Sequence, residues 1–224
     1  LEDLSIFEIH ESADGQVAAR GGEAERTRRG DFGEVYTHRW CGIGFLQEAL
    51  RWWDRWLKGI ETGVESDPAM RLYVMDSLPP KAWYAERPGR WIALENWPSA
   101  DVSKRILHLT GERRLAISTV APLSVAVTSP ADCGAAAGEY CAIWLGPEMP
   151  ADQRFDDAMS ACFDSEPLQE ALDIVGAPVL RLSLSSNRSR AQIAVRLCDV
   201  NPSGASSRIT YGVLNLCHHE SDEN

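Results

Sequence analysis

The sequence lacks any apolar run of about 18 residues, the length that a membrane-spanning helix needs, so no such helix is expected. It also lacks a basic surplus: the formal net charge is −11. Binding to nucleic acid or to an anionic membrane needs basic surface, so neither partner is expected. The start, LEDLSIFEIHESADG, has no basic residue followed by an apolar stretch. We therefore expect no signal peptide and a cytoplasmic location.

Cysteine is scarce as well. The six cysteines form no CxxC pair and no grouping with histidine at the spacing of zinc ligands. Neither a disulfide scaffold nor a metal site is predicted. A disulfide between Cys133 and Cys141, which flank the turn-rich GAAAGEY, stays open, and Cys162 and Cys198 are interpreted as buried free thiols.

The chain also lacks the motifs of catalysis and phosphate binding. A serine hydrolase of the α/β type needs a Gly-x-Ser-x-Gly elbow, and none is present. Of the five histidines, His108 in RILHLT is interpreted as a strand residue, and His38, just before a tryptophan-rich segment, is the one considered further. No catalytic, cofactor-binding or metal-binding residue is predicted, and no cofactor.

Carboxylates are concentrated in DQRFDDAMSACFDSEPL, residues 152–168. Such a cluster could serve acid–base chemistry or bind calcium, but it has neither the spacing nor the glycine of an EF-hand loop. We favour a loop in which aspartate pairs with Arg154 and caps backbone N–H groups. The acidic residues are Asp152, Asp156, Asp157, Asp164 and Glu166.

The segment from Ile43 to Lys58 has the clearest helical pattern. Its apolar residues recur at i, i+3, i+4 and i+7, and charged residues occupy the other side. Gly59 follows where a left-handed C-cap belongs. We define the tryptophan stripe as Leu46, Ala49, Leu50, Trp53, Trp56 and Leu57, with Trp52 at its border.

Beyond the helix the pattern changes to short alternating runs separated by Pro, Gly, Asn and Ser. Strands without helices between them predict an antiparallel sandwich or barrel. The predicted strands are MRLYVMDS, RWIAL, RILHL, LSVAVTS, VLRLSLSS, QIAVRLCDV and RITYGVLNL. Before the helix, LSIFEI could be a strand, and residues 11–35 are interpreted as loop or partly disordered, because they are rich in glycine and charge.

Several of these segments together resemble the cocaine esterase and X-Pro dipeptidyl-peptidase family of serine hydrolases. They include FLQEALRWWDRWLKGIETG, DPAMRLYVMDSLPP, ERPGRWIALENWPS, PADCGAAAGEYCAIW and the run from DQRFDD to GVLNL. The resemblance implies an α/β-hydrolase domain with a Ser-Asp-His triad and a C-terminal jelly roll similar to galactose-binding domains. It implies three parts here: an atypical segment 1–40, the last hydrolase helix with a linker at 41–66, and a jelly roll at 67–224.

The chain departs from the family pattern in two ways. The elbow and acid of the triad have no counterpart, and the Gly-Pro-Trp-x-His setting of the family's histidine is replaced by GDFGEVYTHRWCG, so His38 receives no catalytic role. Family members also continue after GVLNL with further strands. We therefore expect a sandwich that is incomplete at its C-terminus. Its free edges would pair with another copy or be covered by the N-terminal segment.

Three functions are compatible with the sequence. The first is the accessory β-sandwich of such a hydrolase, catalytically incomplete alone, which associates with itself or packs on a hydrolase domain. The second is a carbohydrate- or ligand-binding module that uses exposed Trp83, Trp91, Trp97 and Trp144. The third, an active esterase or peptidase, is disfavoured because no nucleophile and base are recognisable. The tryptophan stripe should be covered by the jelly roll, by residues 1–40 or by a second chain.

Overall fold

The computed structural model describes residues 6–12, 44–85, 87–118, 121, 123–139 and 148–218. These residues form one long helix, one single-turn helix and eight strands. In chain order the elements are β1 (Ile6–Ser12), α1 (Phe45–Lys58), a 3-10 turn (Val64–Ser66), β2 (Met70–Met75), β3 (Gly89–Leu94), β4 (Val102–Leu109), β5 (Leu115–Ala116), α2 (Arg154–Asp157), β6 (Val179–Arg181), β7 (Gln192–Val200), β8 (Ser206–Asn215) and a second 3-10 turn (Leu216–His218).

The strands pair as antiparallel sheets. One sheet has the order β5-β4-β1-β6, while β2 pairs with β3 and β7 pairs with β8. The expected fold class is confirmed, since one main helix precedes an antiparallel β region. The jelly-roll order of strands is compatible with these pairings and stays a prediction.

Strand β1 confirms the strand predicted in LSIFEI and gives it a place in the fold. It lies between β4 and β6, with Phe7 opposite Leu107 on one side and Leu180 on the other. The strand continues to Ser12, so the first two residues of the predicted loop 11–35 are strand instead. The remainder of that loop, like His38, lies outside the described residues.

Helix α1 begins at Phe45, two residues later than predicted, and ends where the sequence indicated. Gly59 adopts φ 70°, a left-handed conformation that glycine reaches without the steric cost of a Cβ atom. Its N–H donates to the carbonyl oxygen of Arg55 and closes the last turn. Arg55 and Lys58 occupy that turn, where cations complement the helix dipole.

The buried core is small and divided among the described residues. Ile92, Leu94 and Val175 form one cluster beneath the β2–β3 hairpin. Leu107 of β4 centres a second cluster, whose other members are only partly buried: Leu115, Ile174, Leu180 and Leu197. An open hollow of about 3860 Å³ adjoins this second cluster and is lined by residues of β4, β7 and β8.

Two strand predictions are wrong. Residues 123–129, LSVAVTS, form no strand, because no neighbouring segment pairs with them in the described part of the chain. The run VLRLSLSS is a strand only over Val179–Arg181, and Leu184, expected to face the core, is 49% exposed. The predicted division into parts 1–40, 41–66 and 67–224 is not tested by these elements and stays a prediction.

Candidate interaction surface

The tryptophan stripe is exposed along α1. Trp53 and Trp56 are 54% and 55% exposed and Leu57 is 73% exposed, and α1 contributes no buried residue. Of the three expected covers, the β region is therefore wrong; most of residues 1–40 lies outside the described residues, and a second chain stays a prediction. Phe45 and Trp52, both exposed as well, extend the stripe at its N-terminal end and along its border.

The opposite side of α1 forms ion pairs with the 3-10 turn, with Asp67 after it and with Arg71 at the start of the β region. Arg51 lies at their centre: its Nη2 atom is 2.9 Å from Oε2 of Glu48 and it also bonds Asp67. Arg55 pairs with Glu65 of the 3-10 turn. Arg71 of β2 reaches Asp67 at 3.1 Å and Glu48 at 3.3 Å. We call Glu48, Arg51, Arg55, Glu65, Asp67 and Arg71 the ion-pair cluster.

The Arg51 guanidinium lies between two carboxylates, those of Glu48 and Asp67. Hydrogen bonds to Asp67 and then to Glu48 raise the pKa of Arg51 above its ordinary value. The group is therefore cationic at every pH at which the protein folds. All six members are partly accessible to water, so each pair contributes about 0–1 kcal/mol.

The ion-pair cluster and the tryptophan stripe lie on nearly opposite sides of one helix. Successive residues of an α-helix are about 100° apart, which places Arg51 about 160° from Trp53. Because Arg51 faces Asp67 and the β region, Trp53 faces away from it. This arrangement reverses the usual one, in which a surface helix turns its apolar face to its own core.

The stripe is large for a surface feature. Its four aromatic side chains, counting Phe45 and Trp52, bury about 200 Å² each when covered, and the aliphatic ones about 100 Å² each. The exposed fractions of these side chains lie between 47% and 73%. The accessible apolar area they present is on the order of 700 Å², counting the four aromatic residues with Leu46, Leu50, Leu57 and the adjacent Ile60. A typical monomer's largest apolar patch is about 300–600 Å², so the stripe has the size of an interface.

The acidic segment contains a buried polar cluster. Asp156 of α2 is completely buried, and its carboxylate accepts the N–H groups of Gly134 at 2.9 Å and Ala136 at 3.1 Å. Arg196 of β7 lies 3.3 Å from the same carboxylate. We call Gln153, Asp156, Asp157, Ser160, Arg196 and Ser206 the Asp156 cluster.

Every carboxylate and amide at the centre of the Asp156 cluster has an internal partner. Arg196 donates to Gln153 at 3.0 Å, to Asp157 at 3.0 Å and to Ser160 at 3.1 Å. The Gln153 amide nitrogen donates to the carbonyl oxygens of Ala136 and Ala151, both at 2.7 Å. These groups hold the loop around residues 133–139 against β7, which is a structural task.

The loop interpretation of the acidic segment is confirmed. Asp152 pairs with Arg154 at 2.7 Å and accepts the N–H groups of Arg154 and Ser206. These bonds, the side-chain bond to Arg154 foremost, lower the pKa of Asp152 to about 2. The segment also contains the single turn α2. In the described ranges no three His, Cys, Asp or Glu side chains are grouped so as to hold a metal ion.

The cysteines with described positions are free thiols, and Cys162 and Cys198, which were expected to be buried, are half-buried. Cys133 is one of them, and its possible partner Cys141 lies outside the described residues. Burial raises the pKa of Cys162 and of Cys198. A raised pKa leaves little nucleophilic thiolate near neutrality, so neither thiol is suited to catalysis.

The other candidate residues are not brought together into one site. Trp83, Trp91 and Trp97 are 45%, 38% and 45% exposed, and Trp91 contacts Tyr73 edge-on with ring centroids 5.4 Å apart. Trp144 lies outside the described residues. His108 is a residue of β4, as predicted, opposite Ile6 and Ala116. No helix in the described ranges is long and apolar enough to cross a membrane.

Residues 62–224 match the family model of the X-Pro dipeptidyl-peptidase C-terminal non-catalytic domain. The chain belongs to this family. The match includes β2 to β8 and the whole Asp156 cluster, and it starts just after α1, so the tryptophan stripe lies outside it.

Longer proteins are similar to about three quarters of the chain. A Mycobacterium bovis protein named as a serine esterase is 27% identical over 176 residues, which are 76% of this chain and 26% of that protein. A Mycobacterium tuberculosis protein of the same description has the same values. The cocaine esterase of a Rhodococcus species is 25% identical over 194 residues, 78% of this chain and 32% of the esterase. The chain thus spans about a quarter to a third of these relatives, and no solved structure matches it significantly.

Proposed function

We propose that the chain is the accessory β-domain of a serine hydrolase, joined to an α/β-hydrolase domain through the tryptophan stripe of α1. The observation that carries this proposal is the orientation of α1. Its charged side is fastened to the β region and its apolar side faces away. An exposed apolar face of this size stabilises a fold only when a partner covers it.

The lengths and names of the relatives support the same partner. Those proteins are named as esterases and are three to four times longer than the shared region. Sequence outside that region is where a catalytic domain would lie. In the intact hydrolase we expect the β-domain to shape the substrate pocket of an acyl-ester or X-Pro peptide hydrolase, with the triad supplied by its partner domain.

The isolated chain should be inactive. Acyl transfer by a serine enzyme needs a nucleophile with an adjacent base, and the sequence contains no Gly-x-Ser-x-Gly elbow. Carbohydrate binding is the weaker proposal, because Trp83, Trp91 and Trp97 are only partly exposed and Trp91 packs edge-on against Tyr73.

A chimeric enzyme tests the proposed function. The matching region of the Mycobacterium bovis relative is replaced by residues 44–218 of this chain, and turnover of p-nitrophenyl esters and X-Pro anilides is measured. We expect turnover in the chimera, and we expect it to fall at least tenfold in the Trp53→Asp, Trp56→Asp double variant.

Trp83→Asp, compared also with Trp53→Asp alone, is the matched control, since each places one negative charge at a tryptophan that is about half exposed. Equal loss in both variants, or a folded chimera that is unaffected by the stripe variant, would contradict the proposed docking. Turnover by the unmodified chain alone would contradict the accessory role. Glycan binding abolished by Trp83→Asp would favour the carbohydrate module instead.

A further inference from the structure

We propose that, when no hydrolase domain is bound, a second copy of this chain covers the tryptophan stripe by pairing two α1 helices antiparallel about a two-fold axis. This proposal shares the surface of the proposed function but not the partner, and the two partners would compete. Self-association of the chain would then depend on one face of α1, the tryptophan stripe.

The available area is close to what such a pair needs. A stable protein–protein interface buries about 800 Å² on each partner. The stripe and its apolar neighbours present on the order of 700 Å² before any contact from outside α1 is added. The surface is also rich in tryptophan, the residue type most often responsible for binding energy at interfaces.

The stripe is open to a second chain. Because the ion-pair cluster holds the other side of α1 against the 3-10 turn and β2, the two β regions of a pair would lie on the outside and would not collide. The helix has 14 residues, which corresponds to about 21 Å of contact length.

The order of side chains along α1 favours an antiparallel register centred near Arg51. In that register Ala49 lies opposite Trp53 of the second copy, and Leu46 lies opposite Trp56. A small residue facing a large one lets two helices interdigitate. The charged side chains of α1 remain on the outer sides, so no like charges are buried between the copies.

A membrane surface is the less suitable occupant. The chain has a net charge of −11, which repels anionic lipid. The cations of α1 are already engaged: Arg51 with Asp67, Arg55 with Glu65 of the 3-10 turn, and Lys58 with Asp54 at 2.7 Å. Few remain for lipid headgroups.

Sedimentation equilibrium of the full chain over a concentration series tests the proposal. We expect a monomer–dimer equilibrium in wild type that is weakened at least 100-fold in Trp53→Asp, Trp56→Asp and is unchanged in Trp83→Asp. Circular dichroism verifies that each variant is folded. A wild-type monomer throughout the micromolar range, or a dimer insensitive to the stripe variant, would overturn the pairing and leave the chimera test unaffected.

A third variant distinguishes specific pairing of two α1 helices from non-specific hydrophobic association. Ala49→Trp makes the stripe more apolar but fills the position that should receive Trp53 of the second copy. The antiparallel register predicts that it weakens the dimer at least tenfold, whereas non-specific association would become stronger. Stripe-dependent binding to phosphatidylglycerol vesicles by a monomeric chain would also overturn the proposal and assign the surface to lipid.

Discussion

Arg196 of β7 and Asp156 of α2 form an ion pair in which Nη1 and Oδ2 are 3.3 Å apart and the carboxylate is completely buried. A buried carboxylate costs several kcal/mol to desolvate, at order of magnitude, unless donors surround it. Two backbone N–H groups and the guanidinium provide those donors. The pair therefore joins the loop around residues 133–139 to a strand some 40 residues away from α2.

Removal of the Asp156 carboxylate should destabilise the fold strongly. Asp156→Ala leaves two backbone N–H groups without acceptors and removes one of the two carboxylates that Arg196 contacts, Asp157 being the other, which together corresponds to about 3–5 kcal/mol in the free energy of unfolding. Urea denaturation measures this loss of unfolding free energy. Asp76→Ala, at an exposed aspartate, should change the free energy by less than about 0.5 kcal/mol. Similar losses of unfolding free energy in the two variants would show that Asp156 stabilises the fold no more than an exposed aspartate does.

Asp152 should make stability depend on pH in the acid range. Its pKa is about 2 in the folded chain against 3.8 ordinarily, so the folded state favours the ionised form. The corresponding stabilisation is present above about pH 4 and is lost as the pH falls towards 2. We expect the difference in unfolding free energy between wild type and Asp152→Asn to shrink over that interval. A difference that stays constant from pH 6 to pH 2 would contradict this.

Arg51→Met should loosen α1 without unfolding the β region. The ion pairs of Arg51 are partly solvated, so the loss in unfolding free energy should stay below about 1 kcal/mol. Amide hydrogen exchange within residues 45–58 should nevertheless become several-fold faster, because α1 has no buried residue to retain it.

High salt should speed the exchange of α1 in wild type as well, since it screens partly exposed charges. Lys58→Met is the control: Lys58 pairs within α1, with Asp54, and does not contact the β region. Exchange that is equally fast in both variants would show that loss of any cation, and not of the ion-pair cluster, loosens the helix.

Cys198 and Cys162 should react slowly with thiol reagents in the folded chain. Burial raises the pKa of both thiols and limits access to them. At pH 8 we expect at least a tenfold increase in their rate of modification by a disulfide reagent on addition of denaturant. Mass spectrometry of peptides assigns each rate. Modification of Cys198 as fast as in the unfolded chain would contradict its partial burial.

The sequence predicted α1 well because a helix carries its own signals. The 3.6-residue apolar period, the cations of the last turn and Gly59 are all local, and each was readable. The sequence could not show which surface α1 contacts. An apolar face that packs on the protein's own core and one that packs on a partner have the same 3.6-residue period. The ion pairs between Arg51 and Asp67, which decide the direction, depend on the path of the chain after Gly59.

Alternating composition identified most strands, including β1 and β4, which pair across about 95 residues, but it could not show whether a run has a partner. β7 and β8 are joined by a short turn and both were recognised, whereas LSVAVTS had the composition of a strand but no pairing partner. The Asp156 cluster was only half recognised, for the same reason. Local pairs such as Asp152 with Arg154 were expected, but Arg196 is 40 residues from Asp156. Its signal was an arginine that alternates with Ala194 and Cys198 on one face of a strand.

The position of β1 has a consequence for synthesis of the chain on the ribosome. Ile6 is opposite Arg181, so the first strand cannot complete its sheet until about 175 further residues have been made. At about 5–20 residues per second this takes on the order of ten to thirty seconds. During that interval the backbone groups of β1 have no β6 to bond. A nascent chain stalled before residue 179 should therefore be recognised by chaperones at β1, and one stalled well past residue 215 should not.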